Sequence, residues 1–399
     1  SIALGAVGST SILLTLSTGI LLGLSSGVSA LTALYIGAKD KNSIKKTVHT
    51  SALLLAFSGI AIMLLGIVFA GLILTAMHTK DELIGGASLY LRIYLLGTPA
   101  LAMFNFGNAV LSAAGDTKRP LYYLTFAGVV NVLLNLFFVL ICKMGVSGVA
   151  IASIISQYIS AALVLRLLLC SEESFALRKE NLHIDRLILR RVLRIGIPSA
   201  LQYALFAVAN LFVQTSVNYF DHVMVEGNSA AANADPLVYD MMAAFYTACT
   251  SFIAQNMGAK KRERIRKSYF ICMVYSFGLG LFLGVGIYLL RYPFLSMFTS
   301  EKAVVHAGIR RLSVMALSYC VSAFMDCTIA ASRGLGRTIV PMFIVTAGST
   351  VFRLLWIWTV FAHYRTIESL YLLYVFSWTI TGIAEMIYFA KTMKAVRFS

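Results

Sequence analysis

Gly37-Ala38-Lys39-Asp40-Lys41-Asn42-Ser43-Ile44-Lys45-Lys46-Thr47 returns later in the chain as Gly258-Ala259-Lys260-Lys261-Arg262-Glu263-Arg264-Ile265-Arg266-Lys267-Ser268. The offset is 221 residues, and five of the eleven positions are identical. A second pair keeps that offset: Ala114-Gly115-Asp116-Thr117-Lys118-Arg119-Pro120 aligns with Leu335-Gly336-Arg337-Thr338-Ile339-Val340-Pro341. Each is a short polar segment between long apolar runs. Two unrelated turns sharing one offset mark an internal duplication, and duplicated apolar runs on this scale read as a repeated bundle of membrane helices.

Composition agrees. Of 399 residues, 59% are hydrophobic and 13% charged, with a mean hydropathy of +0.82. A water-soluble chain of this size would expose too much apolar surface. Eleven apolar runs are each long enough to cross a hydrocarbon core of ~30 Å. They cover residues 7–36, 48–77, 86–114, 120–141, 147–170, 194–220, 237–257, 269–291, 304–331, 340–361 and 368–390. The expected fold is all-α and polytopic: two six-helix repeats, five plus six spans visible, around a central cleft. In the second half the duplicated basic turn follows two spans, and in the first half only one. A further helix is therefore expected ahead of Ser1. The division is an N-terminal lobe at 1–170, a cytoplasmic linker at 171–193 and a C-terminal lobe at 194–399.

Lys and Arg set the orientation. Most of those outside the spans fall in 37–47, 115–119, 171–194, 258–268, 332–339 and the tail 391–399. The opposite side holds Lys80, Lys143, Arg291, Lys302 and Arg365. The basic side is cytoplasmic, which puts the C-terminus in the cytoplasm of a multi-pass protein of the cell (inner) membrane. The net charge of +16 is thereby explained by the bilayer, and no nucleic-acid partner is expected. In the linker, Arg186, Arg190 and Arg194 recur every four residues opposite Ile184, Leu187, Ile188 and Val192, which predicts an amphipathic helix on the membrane surface. The six cysteines have no metal or disulfide spacing and read as small core residues.

These residues resemble a known family, the multidrug and toxic compound extrusion (MATE) transporters, bacterial type. The marks are Ala254-Gln255-Asn256-Met257-Gly258-Ala259, Leu111-Ser112-Ala113-Ala114 running into the Gly115–Pro120 turn, Asn131-Val132-Leu133-Leu134-Asn135, and Arg194-Ile195-Gly196-Ile197-Pro198-Ser199-Ala200-Leu201-Gln202. The resemblance implies two six-helix lobes around a cleft, and export of organic cations or other amphiphiles against inward Na⁺ or H⁺. Two positions depart from it. NorM-like members have a Glu eight residues after the Pro that opens the second lobe, and here that residue is Phe206. DinF-like members place an Asp where this chain has Asn135.

An ionisable group within the bilayer is costly and so marks a functional position. The acids inside predicted spans are Asp240, Asp326 and Glu385, all in the second lobe. Asp326, in Ala323-Phe324-Met325-Asp326, is the first candidate for ion and substrate coupling. The resemblance supports it, because NorM-like members carry a cation-binding Asp on the equivalent helix. Any sodium ion would bind near it. Glu385 and Asp240 are further coupling candidates, set against pairing or snorkelling at a helix end for the first and ordinary solvation for the second. Gln202, Asn210, Gln214 and Asn218 recur at multiples of four and predict one polar stripe lining the cleft, or hydrogen bonds between helices. Asn105 is the repeat mate of Asp326, and with Asn135 and Arg353 completes the cleft candidates. Arg353 is expected to pair within the second lobe, an acid being one partner open to it, which is a structural reading set against a place in the cleft.

No Walker loop, His-Glu-x-x-His or Gly-x-Ser-x-Gly occurs, so no enzyme and no cofactor beyond the coupling ion are expected. The sequence reads as a monomeric antiporter for amphiphilic or cationic small molecules. The alternatives are a flippase of the same superfamily for lipid-linked or anionic substrates, and a non-transporting receptor or scaffold.

Overall fold

The computed structural model describes residues 2–76 and 81–395. Among them are α1 (Ile2–Gly37), α2 (Lys41–Ala76), α3 (Asp81–Leu95), α4 (Thr98–Ala113), α5 (Lys118–Leu136), α6 (Gly145–Cys170), α7 (Arg186–Val217), α8 (His222–Ala232), α9 (Ala234–Gly258) and α10 (Arg262–Leu289). They continue as α11 (Arg291–Ser296), α12 (Lys302–Gly334), α13 (Ile339–Val345), α14 (Phe352–Trp356), α15 (Ala362–Tyr364) and α16 (Ile367–Ala395). Ten segments are long and apolar enough to span a bilayer, and the bent pair α3–α4 makes an eleventh. All eleven expected spans are present. Their outer faces are apolar: Leu121, Leu124, Phe126, Val129, Val132 and Leu133 of α5 are all exposed. Such a face suits lipid, where only helices and closed barrels satisfy their own backbone.

The duplication is written in the backbone. Lys39 (φ 57°) and Lys260 (φ 55°) are left-handed, as are Gly115 (φ 89°) and Gly336 (φ 70°), each pair 221 residues apart. The terminal hydrogen bonds repeat as well. Asp116 N–H donates to Leu111 O and Arg337 N–H to Ser332 O, both at 2.9 Å. A helix closed by a left-handed residue and a bond reaching five residues back is a Schellman end, for which glycine carries no Cβ penalty.

One difference between the repeats lies at α12. α12 is continuous over 33 residues, whereas its counterpart is broken into α3 and α4 with a 42° bend. Pro99 explains the break, because it has no N–H to donate back to the preceding turn. Thr98 fills the gap, its hydroxyl donating to Leu95 O at 2.7 Å and sitting 3.2 Å from Gly59 O. The matching residues in α12 are Ser318, Tyr319 and Cys320, which continue a helix.

The chain forms two compact units, residues 1–203 and 204–399. In the first, α4 packs against α1, α2 and α6, and Leu21, Val28, Leu55, Phe106, Val110 and Val164 form its core. Gly23 and Gly27 of α1 let the start of α7 approach closely: a Cβ at Gly23 would overlap the backbone of Ala200, and one at Gly27 would meet Val192 O. Small residues at such a crossing replace the hydrophobic drive that lipid lacks. In the second unit α12 is the central helix, packed against α8, α9, α10 and α16.

The linker differs from expectation. Residues 182–185 are not helical, and Arg186–Ile195 is the opening of the 32-residue helix α7 rather than a separate amphipathic helix. Ile188 and Val192 enter the core of the first unit, whereas Ile184 and Leu187 of the same apolar side stay exposed. Nothing breaks the helix between Arg186 and Pro198. Asp185 starts it, accepting from the N–H groups of Leu187 (3.0 Å) and Ile188 (3.1 Å), and pairs with Lys46 at 3.2 Å. The Ile188 N–H bond, then Lys46, hold this carboxyl below the ordinary carboxylate range. Arg178 N–H donates to His49 Nε2 at 3.0 Å, and His49 Nδ1 lies 2.6 Å from Lys45 O. That geometry fits the neutral Nδ1–H tautomer. The linker is thus fastened to the start of α2.

Candidate functional site

The second unit carries buried polar groups on parallel lengths of α12 and α16. α9 begins after Asn233, and its first turn presents Asp235, which accepts from Arg311 of α12 at 2.5 Å and from the Tyr319 hydroxyl at 2.5 Å. Arg311 is 6% exposed. Its other nitrogen reaches Asn228 Oδ1 at 2.6 Å, which also accepts from the Tyr371 hydroxyl at 2.9 Å. Asn228 donates in turn to Gln214 at 3.3 Å. Neighbouring Arg310 is held apart from this network by a two-pronged pair with Glu368 at 2.5 and 2.8 Å.

Further along, Arg353 is 2% exposed on α14. It donates to Asn210 Oδ1 at 2.8 Å and lies 3.3 Å from Ser377 Oγ, with its guanidinium 4.7 Å from the Tyr374 ring. Arg353 thus pairs within the second unit through neutral hydrogen-bond partners, with Asp326 the acid in electrostatic reach. A π-helical turn at Thr346–Val351 precedes α14, while the matching stretch of α5 is regular helix. Such turns gather at functional sites because the extra residue rotates the later side chains onto a new face. Within it, Gly348 O accepts from Ser377 Oγ at 3.0 Å, and a Cβ at Gly348 would collide with Thr381. The turn is thereby locked to α16 just before Arg353.

Asp326 is half-buried on α12, with Arg333, Arg353 and Tyr239 in electrostatic reach. Tyr239 meets the Tyr319 ring at 5.4 Å and the Trp378 ring at 6.0 Å, and Trp378 meets Tyr374 at 5.5 Å. The arrangement joins a carboxylate, a buried guanidinium and a set of aromatic faces. Chemically it can exchange one cation for another at Asp326, and it can bind an aromatic ring.

Glu385 is 0% exposed, and neither oxygen has a hydrogen-bond partner among the described residues. It neither snorkels nor pairs among those residues, and Phe389 and Met393 further along its helix are buried in one cluster with Ile253 and Ala331. Asp240 is exposed and stands outside both networks, and Asp235 is the acid of α9 that they use. The predicted stripe on α7 divides. Gln202 is buried in the first unit, whereas Asn210, Gln214 and Asn218 belong to the second, with Gln214 Nε2 3.3 Å from Asn218 Oδ1. In the first unit Asn105 is buried on α4 with its Nδ2 unpartnered. Asn135 donates to Asn131 at 3.0 Å, and Asn131 to Ser156 of α6 at 3.3 Å, a bond between helices. All six cysteines are free, four of them buried. No group of His, Cys, Asp and Glu among the described residues could hold a metal ion by its ligand set.

Sequence reasoning passed over Asp235, Asn228 and Tyr319. The adjacent pair Arg310-Arg311 inside an apolar span was the available signal, because two neighbouring arginines point to different faces and each needs a partner.

The MatE family model matches residues 1–137 and 198–359. The Bacillus subtilis "Probable multidrug resistance protein YoeA" is 25% identical over 92% of this chain and 81% of its own length. The Thermotoga maritima "Probable multidrug resistance protein NorM" is 23% identical over 82% of this chain and 71% of its own. Among solved structures, a MOP superfamily transporter from Pyrococcus furiosus superposes with a TM-score of 0.92 at 21% identity, covering 98% of this chain and 88% of the other. The apolar spans, the duplicated backbone and this match together place the chain: it belongs to the MatE family of multi-pass membrane transporters of multidrug efflux.

Proposed function

We propose that the chain is a secondary active antiporter of the cell membrane, with its C-terminus in the cytoplasm. It exports organic cations or related amphiphiles by alternating access, in exchange for Na⁺ or H⁺. One observation carries this reading: half-buried Asp326 stands beside Arg353 and an aromatic group of Tyr239, Tyr374 and Trp378. The carboxylate attracts a cation, and the rings favour a flat cationic substrate through their π faces. Coupling ion and substrate compete for one charge, so binding of either releases the other. Arg353 keeps Asp326 from being an isolated charge when neither is bound. No cofactor takes part beyond the coupling ion, and the working unit is the monomer in its bilayer.

A second reading follows from Arg353, whose direct hydrogen-bond partners are neutral. A substrate bearing an acidic group would find its complement there, as the flippase alternative requires.

The test is transport by the full chain in proteoliposomes under an imposed Na⁺ or H⁺ gradient, with a cationic dye as substrate. Asp326→Asn should abolish ion-driven export. Unchanged export in that variant overturns the assignment. Loss of transport in Arg353→Gln for acidic amphiphiles alone would favour the second reading.

A further inference from the structure

Glu385 lies on α16 beyond the Asp326 site. Gly382, one turn earlier, faces the backbone of Phe324 and Met325 on α12. One turn beyond Glu385, Phe389 joins Met393 in a core cluster with Cys249, Ile253, Ile265, Ala330 and Ala331, and Tyr269, whose ring meets Phe389, is in electrostatic reach of Glu385. Its residue exposure is 0%, and both carboxyl oxygens lack a hydrogen-bond partner among the described residues. By contrast, Glu172, Glu173, Glu180, Glu226, Glu263 and Glu301 are exposed, and Glu368 is paired with Arg310.

Some of the packed elements carry ionisable groups. α10 carries Cys272 and Tyr269, which is in electrostatic reach of Glu385, with its ring 4.5 Å from Phe389 and its hydroxyl 2.8 Å from Thr328 Oγ1. α9 carries Tyr246 and Cys249 at the same cluster, α12 carries Asp326, Cys327 and Arg333 along its length, and Arg353 of α14 meets α16 earlier, at Ser377. α13 and the π-helical turn contribute none, and on α16 itself Lys391 is exposed beyond Phe389. No cation forms an ion pair with Glu385 among the described residues.

An ionised carboxylate with neither ion pair nor hydrogen bond is the most expensive group a helix bundle can enclose. The neutral acid removes the charge and keeps only the smaller cost of an unbonded polar group. The surroundings also select the occupant. A hard metal cation takes several oxygen ligands, and no group of His, Cys, Asp and Glu among the described residues could hold one here. A proton needs no ligands.

We propose that Glu385 is a second proton-binding site of the transporter, separate from Asp326 and occupied while this part of the second unit is closed. The proton leaves the carboxyl oxygen for water only when α16 parts from α9, α10 and α12, and the bare carboxylate then resists closure. Closing the unit therefore takes up one proton and opening it releases one, so a proton gradient biases the conformational equilibrium. This rests on the ion-coupled reading above but requires no particular substrate.

The experiment uses the full chain in lipid nanodiscs, followed by infrared spectroscopy with and without carboxyl-labelled glutamate. At mildly alkaline pH the wild-type protein should show a protonated-carboxyl band that shifts on labelling. The band should persist in Asp326→Asn and vanish in Glu385→Gln. In proteoliposomes, Glu385→Gln should lose at least tenfold in proton-driven export of a cationic dye while keeping dye-for-dye exchange. A wild-type protein without the labelled band overturns the proposal with no variant needed. So does a band that survives Glu385→Gln, or full proton-driven export by that variant. Because the band is read without transport, failure of the antiport reading and failure of this one are told apart.

Discussion

Asp235→Asn tests whether the Arg311 network is a buried ion pair. The substitution keeps shape and an acceptor for Tyr319 but removes the charge opposite Arg311. Arg311 is 6% exposed, and its remaining hydrogen-bonded partner would be Asn228 at 2.6 Å. Breaking a buried pair by removing one partner costs about 3–5 kcal/mol, mostly because the other charge stays buried; the Asp235 side chain is 29% exposed, which puts this pair at the low end. Removing both charges, in Asp235→Asn with Arg311→Met, takes that term away. The residual cost is imperfect bonding at Tyr319 and Asn228, about 1 kcal/mol each, or about 2 kcal/mol in all. The double variant is therefore expected to be more stable than the single one, by about 1–3 kcal/mol on those same figures. Reversible unfolding of the full chain in mixed detergent–SDS micelles measures each difference. A single substitution costing under about 1 kcal/mol, below the whole range for a buried pair, refutes the reasoning. Additive losses in the double variant refute it equally, because they would mean that the two charges do not interact.

Gly23→Val should destabilise the first unit by about 1–3 kcal/mol, because the new side chain overlaps the Ala200 backbone and overpacking costs that much. Gly71→Ala, inside α2 where a Cβ meets nothing within 4 Å, should not lower the unfolding midpoint and should raise it slightly, as Ala is the better helix former. Labelling of whole cells and inverted vesicles with a membrane-impermeant maleimide checks the orientation. The exposed Cys142 should react only from outside and the exposed Cys170 only from the cytoplasmic side. Reaction of both from one side would contradict the distribution of positive charge along the chain.

The eleven spans and the duplication were legible because their signals are local. A bilayer demands about twenty apolar residues per crossing, and a helix end closed by a left-handed residue demands glycine or a tolerant polar residue in its place. The 221-residue offset thus reappears in the backbone angles of Lys39 and Lys260. The linker misled for a related reason. Arg186, Arg190 and Arg194 opposite Ile188 and Val192 encode an amphipathic helix, but the pattern does not say whether lipid or protein covers its apolar side. With Asp185 tied to Lys46 and Thr50, Ile188 and Val192 meet protein while Ile184 and Leu187 stay exposed.

The acids show the boundary most clearly. Sequence alone determined that the chain is a duplicated helical membrane protein and that its intramembrane acids lie in the second half, since hydropathy and spacing are properties of the chain. Only tertiary structure decided that Asp235 rather than Asp240 meets Arg311, that Arg353 rests on Asn210 and Ser377, and that Glu385 is sealed without a partner. Each of these depends on which way a helix is rotated and which neighbour it meets. A residue's cost in a low-dielectric interior is set by atoms distant in sequence.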